Sequence, residues 1–352
     1  MKAIIAMSGG VDSSVAALLM KKQGYDCIGA TMKLYDNADL LLSKEKTCCS
    51  LDDIEDARQV ARRLDIPYYV FNFKGEFRER VIDKFIKTYE TGATPNPCID
   101  CNRYLKFEKL FQRMRELEFD YVVTGHYARI EEKDGWFYLK KGLDASKDQS
   151  YVLYSLSQYQ LSHIKFPLGD FNKTQIRQIA EENNFINSGK KDSQDICFVP
   201  DGDYAGFIES YTGKKYPCGN FINKNGEVLG KHNGIIRYTT GQRKGLGVSF
   251  GKPMYVADKD IENNTVTLCT NEELFSNELC AVDFNWIIPN VPNRIRCKAK
   301  VRYNMTEQDV QAIIQEDGSV KIVFDEPQRA ITKGQAAVLY DGDILIGGGT
   351  II

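Results

Sequence analysis

The first half of the chain alternates short apolar runs with longer segments whose apolar residues recur at helical spacing. The apolar runs predict strands at 2–7, 27–34, 67–73 and 121–124. The segments between them predict helices at 13–23, 52–64, 76–89 and 103–117. Alternation of this kind is typical of an α/β fold, with a doubly wound parallel sheet and helices on both of its faces.

The pattern changes near residue 200, where helical periodicity ends after a helix predicted at 203–211. Short alternating runs follow, interrupted by the hairpin signals Asn225-Gly226, Asp317-Gly318 and Asp341-Gly342. We therefore predict two small β units after the α/β unit, the second an antiparallel β-barrel of about six strands. The predicted domains are 1–204, 205–276 and 277–352.

Composition fits a globular protein, since 43% of the 352 residues are hydrophobic and 27% are charged. No apolar run approaches the roughly 18 residues of a membrane span, so we expect a cytosolic protein with no membrane partner. Its 10 cysteines are then expected to be reduced and open to metal or redox chemistry. The net charge of -2 does not indicate a nucleic-acid binder. It does not exclude one either, because local basic patches decide phosphate binding.

The sharpest local signal is the string Ser8-Gly9-Gly10-Val11-Asp12-Ser13-Ser14, placed between a predicted strand and a predicted helix. Paired glycines allow the backbone to approach a ligand closely. Free amides at a helix start, together with the helix dipole, favour phosphate. The string matches neither G-x-x-x-x-G-K-[ST] nor G-x-G-x-x-G, which excludes the two commonest phosphate loops.

This string resembles the PP-loop of ATP pyrophosphatases, which cleave ATP between its α and β phosphates. Further strings resemble those of the bacterial tRNA-specific 2-thiouridylases: Gly92-Ala93-Thr94-Pro95-Asn96-Pro97, Thr124-Gly125-His126-Tyr127, Lys147-Asp148-Gln149-Ser150-Tyr151, Asp195-Ile196-Cys197-Phe198, Thr240-Gly241-Gln242-Arg243-Lys244-Gly245 and Val301-Arg302-Tyr303. The resemblance runs from Met1 to Gly347-Gly348-Gly349. It implies an adenine nucleotide alpha hydrolase-like fold and a reaction on tRNA.

The implied reaction is ATP-dependent 2-thiolation of the wobble uridine, in which AMP is transferred to the C2 oxygen and sulfur then attacks the carbon. The resemblance assigns ATP binding to Ala6, Met7, Ser8, Gly9, Gly10, Val11, Asp12, Ser13, Met32 and Gly125. Asp12 is also a candidate to place a magnesium ion on the phosphates, with a helix-capping role as the alternative. Implied partners are tRNA and a sulfur-donor protein, either a cysteine desulfurase or a relay protein.

Two distant cysteines carry the implied sulfur step. Cys101 precedes Asn102, the expected N-cap of the helix at 103–117, and a thiol at a helix N-terminus has a lowered pKa. By resemblance, Cys197 carries a persulfide, and Cys101 releases its sulfur or closes a disulfide with it.

The sequence departs from the commoner family pattern at Cys98, where many relatives have aspartate, and this creates Cys98-Ile99-Asp100-Cys101. Three thiolates, Cys98, Cys101 and Cys197, could hold a [4Fe-4S] cluster with one iron left open for a hydrosulfide. A zinc site is a further alternative, but the adjacent pair Cys48-Cys49 suits joint ligation poorly. The persulfide and cluster alternatives stay open at this point.

A basic stripe predicts an RNA face, because Arg294, Arg296, Lys298, Lys300 and Arg302 alternate with less polar residues and would share one side of a strand. By resemblance, contacts to tRNA are assigned to Lys147, Asp148, Gln149, Arg302, Tyr303 and Gln335. The base must leave the anticodon stack, and the residues matching its contacts are Asn96, Pro97 and Cys98. His126 is expected near the RNA, with a hydrogen-bonded core histidine as the alternative.

Two other functions explain part of the sequence. A PP-loop ligase that adenylates a small acid accounts for the string at 8–14 but leaves Cys101 and Cys197 without a role. A non-catalytic RNA-binding or sulfur-relay module accounts for the cysteines and the basic stripe, whereas the intact phosphate loop argues against it.

Overall fold

The computed structural model describes residues 1–36, 40, 51–190, 196–249 and 251–352. Cys48 and Cys49, and the part of the Cys197 string at 192–195, lie outside the described residues. Within those ranges, no helix combines the length and the apolar character needed to cross a bilayer.

The strands follow the chain in this order: β1 Lys2–Ala6, β2 Asp26–Lys33, β3 Tyr68–Asn72, β4 Tyr121–Val123, β5 Ala128–Lys133, β6 Trp136–Lys141, β7 Ile164–Lys165, β8 Gly219–Ile222, β9 Val228–His232, β10 Tyr255–Asp260, β11 Thr265–Cys269, β12 Phe275–Trp286, β13 Arg294–Lys300, β14 Gln308–Ile314, β15 Val320–Arg329, β16 Ala336–Asp341 and β17 Ile344–Ile351. The α-helices are α1 Val11–Lys22, α2 Leu51–Arg63, α3 Lys74–Phe77, α4 Asp83–Glu90, α5 Pro97–Asp100, α6 Leu110–Glu116, α7 Gln158–Ser162, α8 Lys173–Glu182 and α9 Tyr204–Thr212. Short 3-10 turns lie at Ser150–Leu153, Ile235–Arg237 and Glu272–Leu274.

The predicted parallel sheet is present, with strand order β3-β2-β1-β4-β7 and parallel pairing throughout. Alternate residues of β1 pack on opposite faces: Ile5 joins the cluster that contains α1, α2 and α8, and Ile4 joins the cluster that contains α6. Burial on both faces explains why these strands read as nearly continuous apolar runs. The doubly wound α/β prediction is therefore confirmed.

Two helical stretches are longer and less regular than the sequence predicts. π-helical turns at Arg78–Ile82 and Cys101–Lys109 join α3 to α4 and α5 to α6. The second stretch begins at Pro97, a residue that favours the first helical turn because its ring presets φ and it has no N–H to satisfy. The prediction that this helix begins at 103, with Asn102 as its N-cap, is therefore wrong.

The final six strands close into an antiparallel barrel in the order β12-β15-β14-β13-β16-β17, with β17 pairing back to β12. The predicted barrel is confirmed. The sequence did not predict the hairpin of β5 and β6, which comes from the first half of the chain and joins the barrel where Ile344 pairs with Lys140. Between the two units lies a four-stranded sheet, β10-β11-β8-β9. The domain boundaries at 204 and 276 remain a prediction.

Asn285 ties the barrel to the first half of the chain, because its side-chain Nδ2 donates to the carbonyls of Tyr154 at 2.7 Å and Leu156 at 3.0 Å. Asn285→Asp would put a carboxylate against two carbonyl oxygens and remove both bonds. We expect a loss of about 1–3 kcal/mol, measured as a lower midpoint of thermal unfolding. Asn225→Asp, at an exposed turn, is the matched control, and equal midpoints for the two variants would contradict this role.

Candidate functional site

A cavity of about 190 Å³ opens at the carboxyl edge of the parallel sheet, where ligands bind in open α/β folds. Of the residues assigned to ATP, it is lined by Ala6, Met7, Ser8, Asp12, Ser13, Met32 and Gly125. The other lining residues are Thr31, Lys106, Thr124, His126 and Gln149. Three strand ends, those of β1, β2 and β4, thus bring the distant sequence strings to one place.

The first turn of α1 meets this cavity with its amides available. Gly10 is its N-cap residue, and within the described chain no side chain caps this turn. The four N-terminal amides of a helix lack partners inside the helix, and the helix dipole adds positive charge there. No side chain of the described residues caps these amides, so the site suits a phosphate group.

Two glycines make the turn possible. Gly9 has φ of +78°, and a Cβ there would lie 2.3 Å from the carbonyl oxygen of Asp53. A Cβ on Gly125 would lie 2.9 Å from backbone atoms of both Asp12 and Ser13. Contacts of this kind with backbone leave no room for a side chain, so the end of β4 and the start of α1 can approach only through glycine.

Asp12 is already neutralised by protein groups. Lys173 donates to both of its carboxylate oxygens, at 2.8 and 2.9 Å, and the Tyr127 hydroxyl donates to Oδ1 at 2.8 Å. Magnesium prefers carboxylate oxygens that it can coordinate directly alongside substrate phosphates. The arrangement of Asp12 does not fit that role, and no step is assigned to a magnesium ion on it.

A second charged cluster behind the turn was not found from the sequence. Lys190 Nζ donates to Asp53 at 2.5 Å, to Asp56 at 2.8 Å and to the carbonyl of Gly9 at 3.3 Å. The buried Asn187 donates to the same carbonyl at 2.9 Å. These residues fix the turn through the carbonyl of Gly9. No local motif signals them, because their partners lie more than a hundred residues away along the chain.

His126 lies at the cavity wall, 7% exposed, and is held by hydrogen bonds. Lys106 can only donate, so His126 Nε2 accepts from its ammonium at 3.4 Å, and Nδ1–H donates to the Thr124 hydroxyl at 2.7 Å. Burial, and secondarily the Lys106 charge, hold the pKa of His126 well below 6.5. The ring is therefore neutral, and the expectation that it lies near the RNA stays a prediction.

The three candidate thiols differ in their surroundings. Cys98 is exposed and is the second residue of the helix that begins at Pro97, whereas Cys101 and Cys197 are half-buried against one apolar cluster. The helix-start argument for a lowered thiol pKa therefore does not apply to Cys101. The carbonyl of Cys197 accepts from the Tyr35 hydroxyl at 2.8 Å.

The cysteines do not form a metal site in the described structure. No group of three or more His, Cys, Asp or Glu residues there is arranged to hold a metal ion. Cys98, Cys101 and Cys197 all belong to the described part and do not fit a [4Fe-4S] cluster as they stand. No step is assigned to such a cluster.

The basic stripe is shorter than predicted, because β13 ends at Lys300 and Arg302 lies beyond it. Arg296 is paired with Asp325, and Arg302 turns inward, where its Nη2 donates to the carbonyl of Ala330 at 2.7 Å. The prediction of five cations on one strand face is therefore wrong.

The other residues assigned to tRNA lie around the junction of barrel and sheet. Tyr303 donates to the carbonyl of Asp148 at 3.1 Å and contacts the ring of Tyr151 edge-on, while Gln335 bonds to the segment before Cys98. The Asp148 carboxylate accepts from Gly142 and Ser150, and Gln149 accepts from the amide of Tyr127. Lys147 is half-buried beside them.

Comparison with known proteins covers the whole chain. Family models match residues 1–201, described as the tRNA methyl transferase HUP domain, 205–270, described as the tRNA methyl transferase PRC-barrel domain, and 276–351, described as the aminomethyltransferase beta-barrel domain. The tRNA-specific 2-thiouridylase MnmA of Clostridioides difficile (strain 630) is 51% identical, over 99% of this chain and 98% of its own length. The protein of the same name from Acetivibrio thermocellus is 50% identical, over 99% of each chain.

One solved structure, a 4-thiouridine synthetase–RNA complex with bound ATP, aligns with 60% of this chain and 50% of its own. The identity is 21% and the TM-score is 0.40, a level of similarity that carries no argument about function.

The neutral state of His126 gives a pH prediction. Since its folded pKa lies well below 6.5, unfolding takes up a proton at this residue between pH 7.5 and 5.5, so stability falls as the pH falls. The contribution is about 1 kcal/mol over that interval. We expect His126→Gln to lose less stability than the wild type on acidification, measured by the thermal unfolding midpoint. An NMR signal of the His126 ring that titrates near pH 6.5 would contradict this assignment.

Proposed function

Because the chain belongs to the tRNA-specific 2-thiouridylase family, we propose that it is an ATP-dependent tRNA sulfurtransferase that makes 2-thiouridine at the wobble position. The observation that carries this proposal is the cavity that joins the uncapped start of α1 to the ends of β1, β2 and β4, in a chain that matches these relatives over its full length. The proposed substrates are ATP and tRNA, and the proposed compartment is the cytoplasm.

The proposed first step uses the cavity to hold ATP. Amides at the start of α1 donate to the phosphates, and Lys106, which lines the cavity, adds positive charge. The C2 oxygen of the uridine attacks the α-phosphorus, the bond to the β-phosphate breaks, and pyrophosphate leaves. The C2 oxygen, a poor leaving group in uridine, is then bonded to the α-phosphorus and can leave as part of AMP.

The proposed second step uses the two half-buried cysteines. The terminal sulfur of a persulfide on Cys197 attacks C2, and AMP leaves. The Cys101 thiolate then attacks the Sγ of Cys197, which releases the base as a thiocarbonyl and leaves a Cys101–Cys197 disulfide for a thiol reductant to open. A sulfur-donor protein, a cysteine desulfurase or a relay protein, must restore the persulfide.

A first test is Gly125→Ala. The added methyl group would lie 2.9 Å from backbone atoms of Asp12 and Ser13, so either α1 or the end of β4 must shift. We expect ATP affinity, measured by calorimetry, to fall about 10-fold or more, since a shift of about 1 Å misplaces the amides. Gly75→Ala, with open space around its Cα, is the matched control and should bind ATP like the wild type. Unchanged ATP affinity in Gly125→Ala would count against this cavity as the nucleotide site.

A second test addresses the sulfur step. With ATP, unmodified tRNA and a cysteine desulfurase supplied with cysteine as the source of persulfide sulfur, the wild type should release pyrophosphate and form thiolated tRNA. Cys197→Ser should abolish thiolation while ATP binding stays intact, because a hydroxyl cannot carry the transferable sulfur. Cys218→Ser, at an exposed cysteine outside the site, is the control. Normal thiolation by Cys197→Ser would refute the persulfide assignment.

A further inference from the structure

The segment at 94–97, just before and at the start of the cysteine-bearing helix, is attached to a loop of the barrel at 330–335. Building on the proposed function, we propose that Gln335 is a positioning residue that holds this segment, and through it Cys98 and Cys101, in register with the nucleotide cavity. The resemblance assigns Gln335 to tRNA contact, so the two roles make different predictions.

The side-chain N–H donors of Gln335 form hydrogen bonds within the protein. Its Nε2 donates to the carbonyl of Thr94 at 2.9 Å and to that of Pro95 at 3.1 Å. A primary amide carries two N–H donors, so both are used. The carbonyl of the nearby Lys333 accepts from the amide of Thr94 at 2.8 Å. A phosphate oxygen could take the Gln335 donors only if the segment were released.

The close approach also depends on Gly334, by an argument independent of Gln335. Its φ is +87°, and a Cβ there would lie 2.9 Å from the carbonyl oxygen of Thr94 and 3.0 Å from the Cβ of Ala93. Any side chain at this position would push the barrel loop and the segment apart. The contact therefore requires glycine at 334 as well as the amide at 335.

The barrel loop is fixed from behind. Arg302 Nη2 donates to the carbonyl of Ala330 at 2.7 Å and to the hydroxyl of the buried Thr332 at 2.6 Å, which anchors the loop in the barrel. On the other side, the buried hydroxyl of Thr94 has no hydrogen-bond partner among the described residues. The hydrogen bonds that link Thr94 and Pro95 to the loop at 330–335 therefore tie the segment to an anchored part of the barrel.

The position of this segment sets the position of the thiols. Asn96 is the N-cap residue of α5, Cys98 is the second residue of that helix, and Cys101 opens the π-helical turn after it. A displaced segment would move the start of the helix and both cysteines with it. Misplacement of a reacting group by about 1 Å can cost about 100-fold in rate.

The experiment compares Gln335→Met, which removes both donors without changing charge, with Gly334→Ala, which disturbs the same contact from a residue that has no side chain to bind RNA. The matched control is Gly318→Ala, at a glycine with a similar φ of +80° but nothing within 4 Å. We expect both test variants to lower kcat at saturating tRNA about 10-fold, with the Kd for tRNA within about 2-fold of the wild type. Gly318→Ala should match the wild type in both.

The proposal would be overturned if Gln335→Met raised the Kd for tRNA about 10-fold and left kcat unchanged. Gln335 would then be a tRNA contact. Hydrogen exchange of the amides at 93–101, without tRNA or ATP, is a second readout that needs no activity. It should speed up in both test variants and not in Gly318→Ala, and unchanged exchange would refute the positioning role. A wild type that forms no thiolated tRNA would refute the proposed function and leave this second readout valid.

Discussion

The close approach of β4 to the first turn of α1 is the constraint on which the candidate site depends. Gly125 lies so near the backbone of Asp12 and Ser13 that no side chain fits between them. Gly125 thus lines the cavity directly beside the amides that would hold a phosphate. The same turn is fixed from outside by Asn187 and Lys190, both of which donate to the carbonyl of Gly9. Rigid amides of this kind need no reorganisation when charge develops on a bound group.

Charge around the cavity is balanced by pairs within the protein. Lys173 pairs with Asp12, and Lys190 pairs with both Asp53 and Asp56. His126 has no such charged partner among the described residues and is instead uncharged, because burial beside Lys106 lowers its pKa. The free energy of desolvating a charge is large, so each of these groups is stable where it lies only with its partner or in its neutral form.

The barrel is joined to the α/β half of the chain by strand pairing and hydrogen bonds. The β5–β6 hairpin of the first half of the chain extends its sheet, and Asn285 reaches from β12 to the carbonyls of Tyr154 and Leu156. The loop at 330–335 contacts the segment before Cys98 from another side. A macromolecular substrate bound across these surfaces would therefore act on elements that already share hydrogen bonds.

The sequence alone determined the elements whose signal is local. Runs such as that of β1 are apolar because both faces of the parallel sheet are buried, and the glycine string at 8–14 predicted the turn at the start of α1. The barrel followed from alternation and turn residues. Only the tertiary structure decided that Arg302 turns inward, that the cysteine helix begins at Pro97, and that Lys190 and Asn187 support the turn. These features rest on contacts between residues far apart along the chain, and side-chain periodicity reports which face is buried but not which distant group it meets.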